Sequence, residues 1–442
     1  MKLIATLFLL IGLAFFPASA FAQTSPSPVD DVLDDDEDGG YADAEIRVNR
    51  LRIQTPDGRD IFRLRGRIFY DAGFLMLDDN YNTVDDDREN RGDLARFGTV
   101  LRSARFGAEG AISDLYTWRL EVDFRDEEVR MRGTYIEYIG HRPFRLLIGN
   151  TKEPTGLEWM TNRRASTFLE RAAPVDAYMP DWAMGIRAEY QGFNYNLMAG
   201  AFGSNAVEIE RDINQGYSLA GRATFAPWIS GRNYLHLGAG ATWRQNAYRH
   251  QKARGFDKEY QDLRLRTRTG TRALDGRFIG RIDITDVTNH TVYAFESAVG
   301  LGPLSISGEY IGVVVERDLE LVNFDDPTLN LGGFYVQASY FLTGESRNYR
   351  PNRGNFGTLV PMRDFGPGAG PGAWELTARF ANINSIDKDY DGGQMDHLTV
   401  GLNWYLSREF RVMFNYMYLK AQRANGKTSE GSVLGLRFHL EF

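Results

Sequence analysis

Apolar and charged residues alternate along much of this chain, with the period expected of extended strands. In Ser432–Phe442, Leu or Phe occupies every second position from 434 onwards, and Arg437, His439 and Glu441 lie between them. Residues 118–125 show the same alternation. Successive side chains of a strand point to opposite faces of its sheet, so the pattern predicts strands with one apolar and one charged face.

We predict sixteen strands of this kind, none of them apolar on both faces. They cover residues 61–77, 99–112, 115–126, 130–140, 143–150, 183–191, 193–202, 215–226, 233–245, 290–301, 303–316, 330–343, 372–384, 395–407, 409–420 and 431–442. A soluble core of this size would need elements that are apolar all round, and a helical period appears only at residues 163–173. The better interpretation is inside out, with apolar side chains facing lipid and charged ones facing water. The predicted fold is therefore an all-β, 16-stranded antiparallel transmembrane β-barrel with a water-filled lumen.

The connections between these strands alternate between short and long, as they do in bacterial outer-membrane barrels. Ser113–Asp114, His141–Arg142 and Ser407–Arg408 are short turns, and the segments opposite them are mostly longer. With an even number of strands, both chain termini fall on the periplasmic side together with the short turns. Residues 344–371, rich in Gly and Pro, form a long connection on that side.

The two ends of the chain carry separate signals. Residues 1–22 combine Lys2, an apolar run and small residues before Ala22, which predicts a signal peptide cleaved after Ala22. Residues 23–59 form a Pro/Ser-rich and then acidic leader that we expect to be flexible, which leaves 60–442 as the barrel domain. The chain ends on Phe442 within a strand. This resembles the terminal strand of outer-membrane barrels, whose last aromatic residue is a signal to the barrel-assembly machinery.

The basic residues are mostly Arg, which makes up 44 of the 51, although the chain has a net charge of -8. The stretch DLRLRTRTGTR puts Arg264, Arg266 and Arg268 on alternate positions, followed by Arg272. Residues on one side of a strand lie about 7 Å apart, within the Debye length of about 8 Å, so these groups share one electrostatic field. Arg binds phosphate-like oxyanions in bidentate fashion, and a row of such sites can pass an anion along.

Several classes of function are excluded by what the sequence lacks. It has no Cys, so thiolate catalysis and Cys-ligated metal sites are ruled out. Its six His residues show no metal-ligand spacing, and no G-x-S-x-G motif is present, which argues against a barrel enzyme. We expect no cofactor, no metal and no nucleic-acid partner. A purely adhesive barrel of sixteen strands would need a plug domain, and none is evident in the sequence.

Four blocks of sequence resemble those of one family of outer-membrane channels. They are YIEYIGHRPFRLLIGNTKEPTGLEWMTNRRASTFLERAAP (Tyr135–Pro174), YFLTGESRNYRPNRGNFGTLVP (Tyr340–Pro361), GAWELTARF (Gly372–Phe380) and GLNWYLSREFRVMFNYMY (Gly401–Tyr418). Together they are similar to the phosphate-selective porins, over about residues 63–442. The resemblance implies a homotrimer of sixteen-stranded barrels in which arginines guide anions to a constriction at the third outer loop. It also accounts for the long connection at 344–371.

The resemblance and strand parity assign roles to particular basic residues. The expected anion-binding constriction consists of Lys152, Arg163, Arg164 and Arg171 in the third outer loop (151–182) and Arg102 and Arg105 on the second strand. Ser103 occupies a position where family members tend to carry a second, adjacent arginine. The expected anion-guiding residues are Arg264, Arg266, Arg268 and Arg272 of the fifth outer loop and Arg67, Arg119 and Arg125 of the wall. For each wall arginine, the alternative is an ion pair with an inward carboxylate that only holds the wall together.

The function expected from these features is an outer-membrane channel of a Gram-negative bacterium for phosphate- or polyphosphate-like anions. Outer-membrane lipid and lipopolysaccharide are its other expected partners. The alternative is a general or weakly cation-preferring diffusion porin, because Lys is scarce and the first outer loop is acidic. The acidic residues of that loop are Asp78, Asp79, Asp85, Asp86, Asp87, Glu89 and Asp93.

Overall fold

The computed structural model describes most of the predicted barrel domain. The described residues are 52–55, 57–77, 96–125, 129–204, 214–249, 259–265, 267, 270–274, 282–318, 327–422, 426 and 428–442. The predicted signal peptide, nearly all of the predicted leader and the acidic residues Asp78 to Asp93 of the first outer loop lie outside them.

Sixteen long strands of the described residues form one closed sheet, which confirms the predicted fold class. They are β1 Ile61–Leu77, β2 Phe97–Ile112, β3 Tyr116–Asp123, β4 Thr134–His141, β5 Phe144–Lys152, β6 Trp182–Gln191, β7 Tyr195–Phe202, β8 Tyr217–Ser230, β9 Asn233–Gln245, β10 Val287–Leu301, β11 Leu304–Arg317, β12 Thr328–Phe341, β13 Ala373–Asp387, β14 Tyr390–Tyr405, β15 Phe410–Gln422 and β16 Thr428–Glu441. Consecutive strands pair antiparallel, and β16 pairs with β1 from Arg67 opposite Glu441 to Leu77 opposite Gly431. Every backbone group between neighbouring strands thus has a partner inside the membrane.

Shorter elements lie around this wall. Two short strands extend it, Arg52–Gln54 beside β1 and Arg130–Met131 beside β3. Three small hairpins are separate from it: Tyr248–Arg249 with Glu259–Tyr260, Leu263–Leu265 with Ile282–Ile284, and Tyr349–Arg350 with Asn355–Phe356. The helical period predicted at 163–173 corresponds only to a 3-10 turn, Arg163–Ala165, between helices α1 Leu157–Met160 and α2 Ala173–Tyr178. Among the described residues, no helix is long and apolar enough to cross a membrane.

The outer surface of the barrel is apolar. Ile136, Phe295 and Val336 are 61%, 58% and 51% exposed on the outside of their strands, where lipid rather than water would cover them. At the short-turn end, the rings of Trp374 and Trp404 stack with centroids 5.0 Å apart, as expected of an aromatic girdle at the membrane interface.

The inside of the barrel is not uniformly charged, and here the sequence prediction was wrong. In β11, Ile311, Val313 and Val315 face inwards and are fully buried, so the half of this strand near the long loops is apolar on both faces. They belong to an apolar inner wall, which we define as the inward apolar residues of β10–β15 near the long-loop end. Helix α2 and apolar residues of the fifth outer loop cover that wall, so it never meets water.

Helix α2 lies very close to this wall. A side-chain carbon added at Gly333 of β12 would lie 2.9 Å from Cβ of Pro174 in α2, too close for ordinary contact. The hydroxyl of Tyr178, at the end of α2, donates to the carbonyl of Asn384 over 3.0 Å. Burial of apolar surface stabilises this arrangement by roughly 25 cal/mol per Å² removed from water.

Candidate functional site

The third outer loop, residues 153–181, folds into the barrel and is fixed to the wall where it enters. Glu153 forms an ion pair with Arg244 and accepts a hydrogen bond from the Ser218 hydroxyl over 2.9 Å. The backbone N–H groups of Leu157 and Glu158, at the start of α1, donate to the Glu309 carboxylate over 2.6 and 2.8 Å. A carboxylate at this position satisfies donors that a helix start leaves unpaired.

The same loop then reaches the strands that close the barrel. The N–H of Leu169 donates to Asn415 over 2.9 Å, and Asn403 donates to the carbonyl of Thr167 over 2.8 Å. Arg437 donates to the carbonyl of Leu169 over 2.6 Å. Because the loop begins at β5 and is held at β14–β16, it crosses the lumen rather than lining one side of it.

A second segment enters the lumen from the short-turn end. We call residues 345–360, within the β12–β13 connection, the inner hairpin. Arg347 donates to the carbonyl of Ala165 over 3.1 Å, and Asn352 accepts at its carbonyl from Asn196 over 2.8 Å. Phe356 packs with Leu157 of α1. The long connection seen in the sequence is therefore a support that meets the third outer loop inside the barrel.

Two of the predicted constriction residues, Arg102 and Arg163, meet at Glu170. Arg102 binds Glu170 with two hydrogen bonds, one of them 2.9 Å long, and Arg163 donates over 2.7 Å. Burial disfavours the Glu170 carboxylate, but Arg102 and Arg163 outweigh it and hold the pKa of Glu170 well below its usual range. Arg102 is also the extra residue of a β-bulge, so Arg102 and Ser103 are both buried.

Most of the predicted wall arginines pair with carboxylates or amides. Arg164 binds Glu441 over 2.9 Å, and Arg67 donates to Asn162 over 3.2 Å. The other pairs are Arg105 with Glu121 and Asp123, at 2.6 and 3.0 Å, and Arg119 with Glu109, at 2.8 Å. Arg125 is buried just after the end of β3. The wall between β1 and β3 is thus an ion-pair network, in which positive charge is largely neutralised.

Lys152 and Arg171 differ from these arginines because neither pairs with a carboxylate among the described residues. The Lys152 ammonium donates to the carbonyls of Trp159 and Thr161 over 2.6 and 3.4 Å. Arg171 donates to the same two carbonyls over 3.4 and 3.5 Å. Two cations therefore share neutral acceptors and leave a positive potential at the edge of the loop.

The predicted guiding residues of the fifth outer loop are only partly described. Arg264 is exposed and lies 3.7 Å from Asp283 across the Leu263–Leu265 hairpin. Arg266 and Arg268 lie outside the described residues. Arg272 is half-buried and its charge acts on Arg163. Leu265, between the alternating arginines, is buried against the apolar inner wall.

An open volume of about 140 Å³ lies between the third outer loop, the inner hairpin and the wall of β3–β7. We call it the pore space. Six basic residues line it, together with two acidic ones, Glu137 and Glu189. The basic residues are Arg119, Arg145, Lys152, Arg187, Arg350 and Arg353. A second space of about 380 Å³ lies at the short-turn end, and Arg145 and Gln191 line both spaces.

Four basic residues of this lining were missing from the predicted site, namely Arg145, Arg187, Arg350 and Arg353. Arg145 alternates with outward residues of β5, so strand parity could have placed it inside. Arg350 and Arg353 belong to the inner hairpin, and no signal in the sequence shows that this connection turns into the lumen.

The family of the chain is given by its sequence. Residues 63–442 match the profile of the family described as phosphate-selective porin O and P. The chain belongs to this family. The family match and the barrel fold together show that this protein is an outer-membrane porin of a Gram-negative bacterium. They point to a channel rather than an enzyme.

Individual relatives agree with this assignment. An uncharacterized protein of Caulobacter vibrioides is 30% identical over 406 residues, covering 88% of this chain and 76% of that protein. Porin O of Pseudomonas aeruginosa is 24% identical over 428 residues, covering 89% of this chain and 90% of that porin.

Solved structures of other porins share the fold. The anion-selective porin from Comamonas acidovorans has a TM-score of 0.50 at 12% identity, covering 87% of this chain and 100% of that chain. The trimer form of OmpT from Vibrio cholerae has a TM-score of 0.51 at 10% identity, covering 87% of this chain and 99% of that chain. At such identities the likeness shows the shared barrel alone.

Proposed function

We propose that this porin conducts phosphate-like oxyanions along a cationic route beside the third outer loop. The observation that supports this most directly is the lining of the pore space, where six basic residues face two acidic ones. Lys152 stands at the loop end of that space without a carboxylate partner among the described residues. An anion that reaches Lys152 exchanges part of its hydration for charge-assisted hydrogen bonds.

The arginines further along the route are shared with carboxylates. Arg145 binds Glu137 over 2.5 Å, and Arg187 lies 3.5 Å from Glu189. A guanidinium that already holds a carboxylate binds a passing anion more weakly than an isolated one. Conduction needs sites that are weak and multiple, since one tight site would trap the ion.

In this proposal the third outer loop forms the constriction. Lys152 and Arg171 supply its charge, whereas Arg102 and Arg163 hold the loop in place through Glu170. The remaining predicted contributors are Arg164 and Arg105 at the constriction and Arg67, Arg119, Arg125, Arg264, Arg266, Arg268 and Arg272 as anion-guiding residues.

The proposal extends to the assembly and export of the protein. The family resemblance and the trimer form of OmpT support a homotrimer in contact with outer-membrane lipid and lipopolysaccharide. In this proposal the signal peptide at 1–22 directs export, and residues 23–59 form the acidic leader. Phe442 engages the barrel-assembly machinery. We further propose that the channel has no enzymatic activity.

Planar-bilayer recording tests the channel function. In a KCl gradient, the reversal potential of the purified porin should show preference for chloride, and phosphate should block the chloride current. Lys152→Gln should lower both the chloride preference and the phosphate block. Lys420→Gln is the matched control, because Lys420 is 55% exposed and pairs with Glu430, away from the pore space.

The outcome also decides between the two channel types. A reversal potential of the opposite sign in the unmodified protein would favour the general or cation-preferring porin. Equal behaviour of Lys152→Gln and the control would remove Lys152 from the constriction.

A further inference from the structure

The pore space has an apolar side as well as a cationic one. Met160, at the end of α1, and Phe356, in the inner hairpin, line it from the centre of the barrel. Tyr135 and Trp182 line it from the wall, and both are half-buried. An inorganic anion gains little from the Met160 thioether or from the aromatic ring faces, because these surfaces offer it no hydrogen bond in exchange for its hydration.

Cations and aromatic rings alternate along this space. The Lys152 ammonium lies 5.1 Å from the ring centre of Trp159 and 5.9 Å from that of Trp182. The Arg119 guanidinium lies 5.5 Å from the ring centre of Tyr135. Two of the six basic residues that line the pore space, Lys152 and Arg119, therefore have an aromatic ring beside them.

We infer that the pore space accepts organic anions whose charged group is attached to a flat apolar body, such as aryl phosphates and aryl carboxylates, and binds them more tightly than the bare oxyanion. This inference rests on the anion channel proposed above and names the class of solute. The phosphate or carboxylate lies against Lys152 and Arg119, and the ring lies along Trp182 and Tyr135. Aromatic contact of this kind contributes about three- to tenfold in binding.

A purely local role for the aromatic residues makes a different prediction. If Trp182 only positions Lys152, its removal weakens every anion by the same factor. If Trp182 also contacts the solute, its removal weakens aryl anions and leaves inorganic phosphate nearly unchanged. The ratio between two anions with the same head group separates these roles.

The experiment measures block of the chloride current of the full-length porin in planar bilayers. Phenyl phosphate is compared with inorganic phosphate, and benzoate with acetate, as matched pairs. Each aryl anion should half-block at about three- to tenfold lower concentration than its partner. Trp182→Ala should bring this ratio close to one while phosphate still blocks. Trp228→Ala is the matched control, because Trp228 is 41% exposed on the outer surface of β8 and should keep the ratio.

Two results would overturn the inference. One is an equal half-blocking concentration for both members of each pair in the unmodified porin. The other is an unchanged ratio in Trp182→Ala, or an equal loss of block for phenyl phosphate and phosphate. Failure of the anion channel itself is seen separately, as cation preference in the KCl gradient without any phosphate block.

Discussion

The two walls of this barrel use opposite chemistry on their inner faces. The wall from β1 to β7 carries ion pairs such as Arg105 with Glu121 and borders the pore space, whereas β10–β15 carry the apolar inner wall. On the charged wall, side chains are held by one another and stay available to a hydrated solute. On the apolar wall, side chains are covered by α2 and exclude water. In the proposed channel, the first wall borders the route of the anion and the second holds the third outer loop.

The largest effect should follow from a charge placed on the apolar wall. Val175 in α2 is buried in that cluster, and Val175→Asp would bury an unpaired carboxylate at a cost of roughly 3–5 kcal/mol. The loop should leave the lumen, so single-channel conductance should rise severalfold and chloride preference should fall. Val175→Ala keeps the apolar character and should leave conductance near normal. Unchanged conductance in Val175→Asp would show that the wall does not hold the loop.

A change on the charged wall should act on selectivity and not on pore size. Glu170 is the residue of the third outer loop that meets Arg102 of this wall, and Glu170→Gln keeps an acceptor for Arg102 and Arg163, so the loop should stay in place. The substitution removes one negative charge among three guanidinium groups, so the chloride-to-potassium permeability ratio should rise about twofold, or about 0.4 kcal/mol. Glu430→Gln, at an exposed pair with Lys420, is the control. Reversal potentials in a KCl gradient measure both.

The pH dependence sharpens this prediction. The pKa of Glu170 lies well below its usual range because Arg102 and Arg163 outweigh the effect of burial, so the carboxylate stays charged at about pH 4, where an ordinary Glu side chain is mostly protonated. Acidification to that pH should therefore not reproduce the Glu170→Gln selectivity. If it does, the proposed arrangement around Glu170 is absent in the membrane.

A smaller effect is expected where α2 approaches the sheet. Gly333→Ala places a carbon against the carbonyl oxygen of Asn382 in β13 and 2.9 Å from Cβ of Pro174 in α2, so it should destabilise the β12–β13 pairing together with the seating of the loop, by about 1–3 kcal/mol. Open-channel current noise should increase with little change in mean conductance. Gly221→Ala meets its nearest neighbour at 3.4 Å and should leave the noise unchanged.

The smallest effect should come from the fifth outer loop. Arg264 is exposed and its pair with Asp283 is 3.7 Å long, so Arg264→Gln should change stability by less than about 1 kcal/mol. The phosphate concentration that half-blocks the current should shift less than twofold. A larger shift would make Arg264 part of the binding site and weaken the division between the two walls.

The fold could be predicted from the sequence because lipid imposes alternation on every strand. That rule identified all sixteen strands and the lipid-facing residues. The alternation rule does not show what covers an inward side chain, so the contact of α2 with Ile311 and Val313 could not be predicted. The direction taken by the inner hairpin is likewise set by contacts such as Phe356 with Leu157, which are distant in sequence.

For the candidate site, the sequence supplied residue types and the structure supplied their pairing. Arg102 lies in β2 and Arg163 in the third outer loop, and the two meet because both bind Glu170. Strand parity placed Arg119 inside but could not show that Glu109 holds it. The difference between Arg163 and Lys152 in charge compensation therefore depends on three-dimensional contacts.

Where β16 pairs with β1, the side chain of Arg437 makes two kinds of contact. Arg437 of β16 donates two hydrogen bonds of 2.7 Å to Asp71 of β1, and it also donates to the carbonyl of Leu169 in the third outer loop. The last strand of the barrel therefore forms its full set of hydrogen bonds only when the inward loop lies beside it. Barrel closure and placement of the third outer loop are thus coupled through one side chain, and a barrel that closes without the inserted loop lacks the hydrogen bond from Arg437 to Leu169.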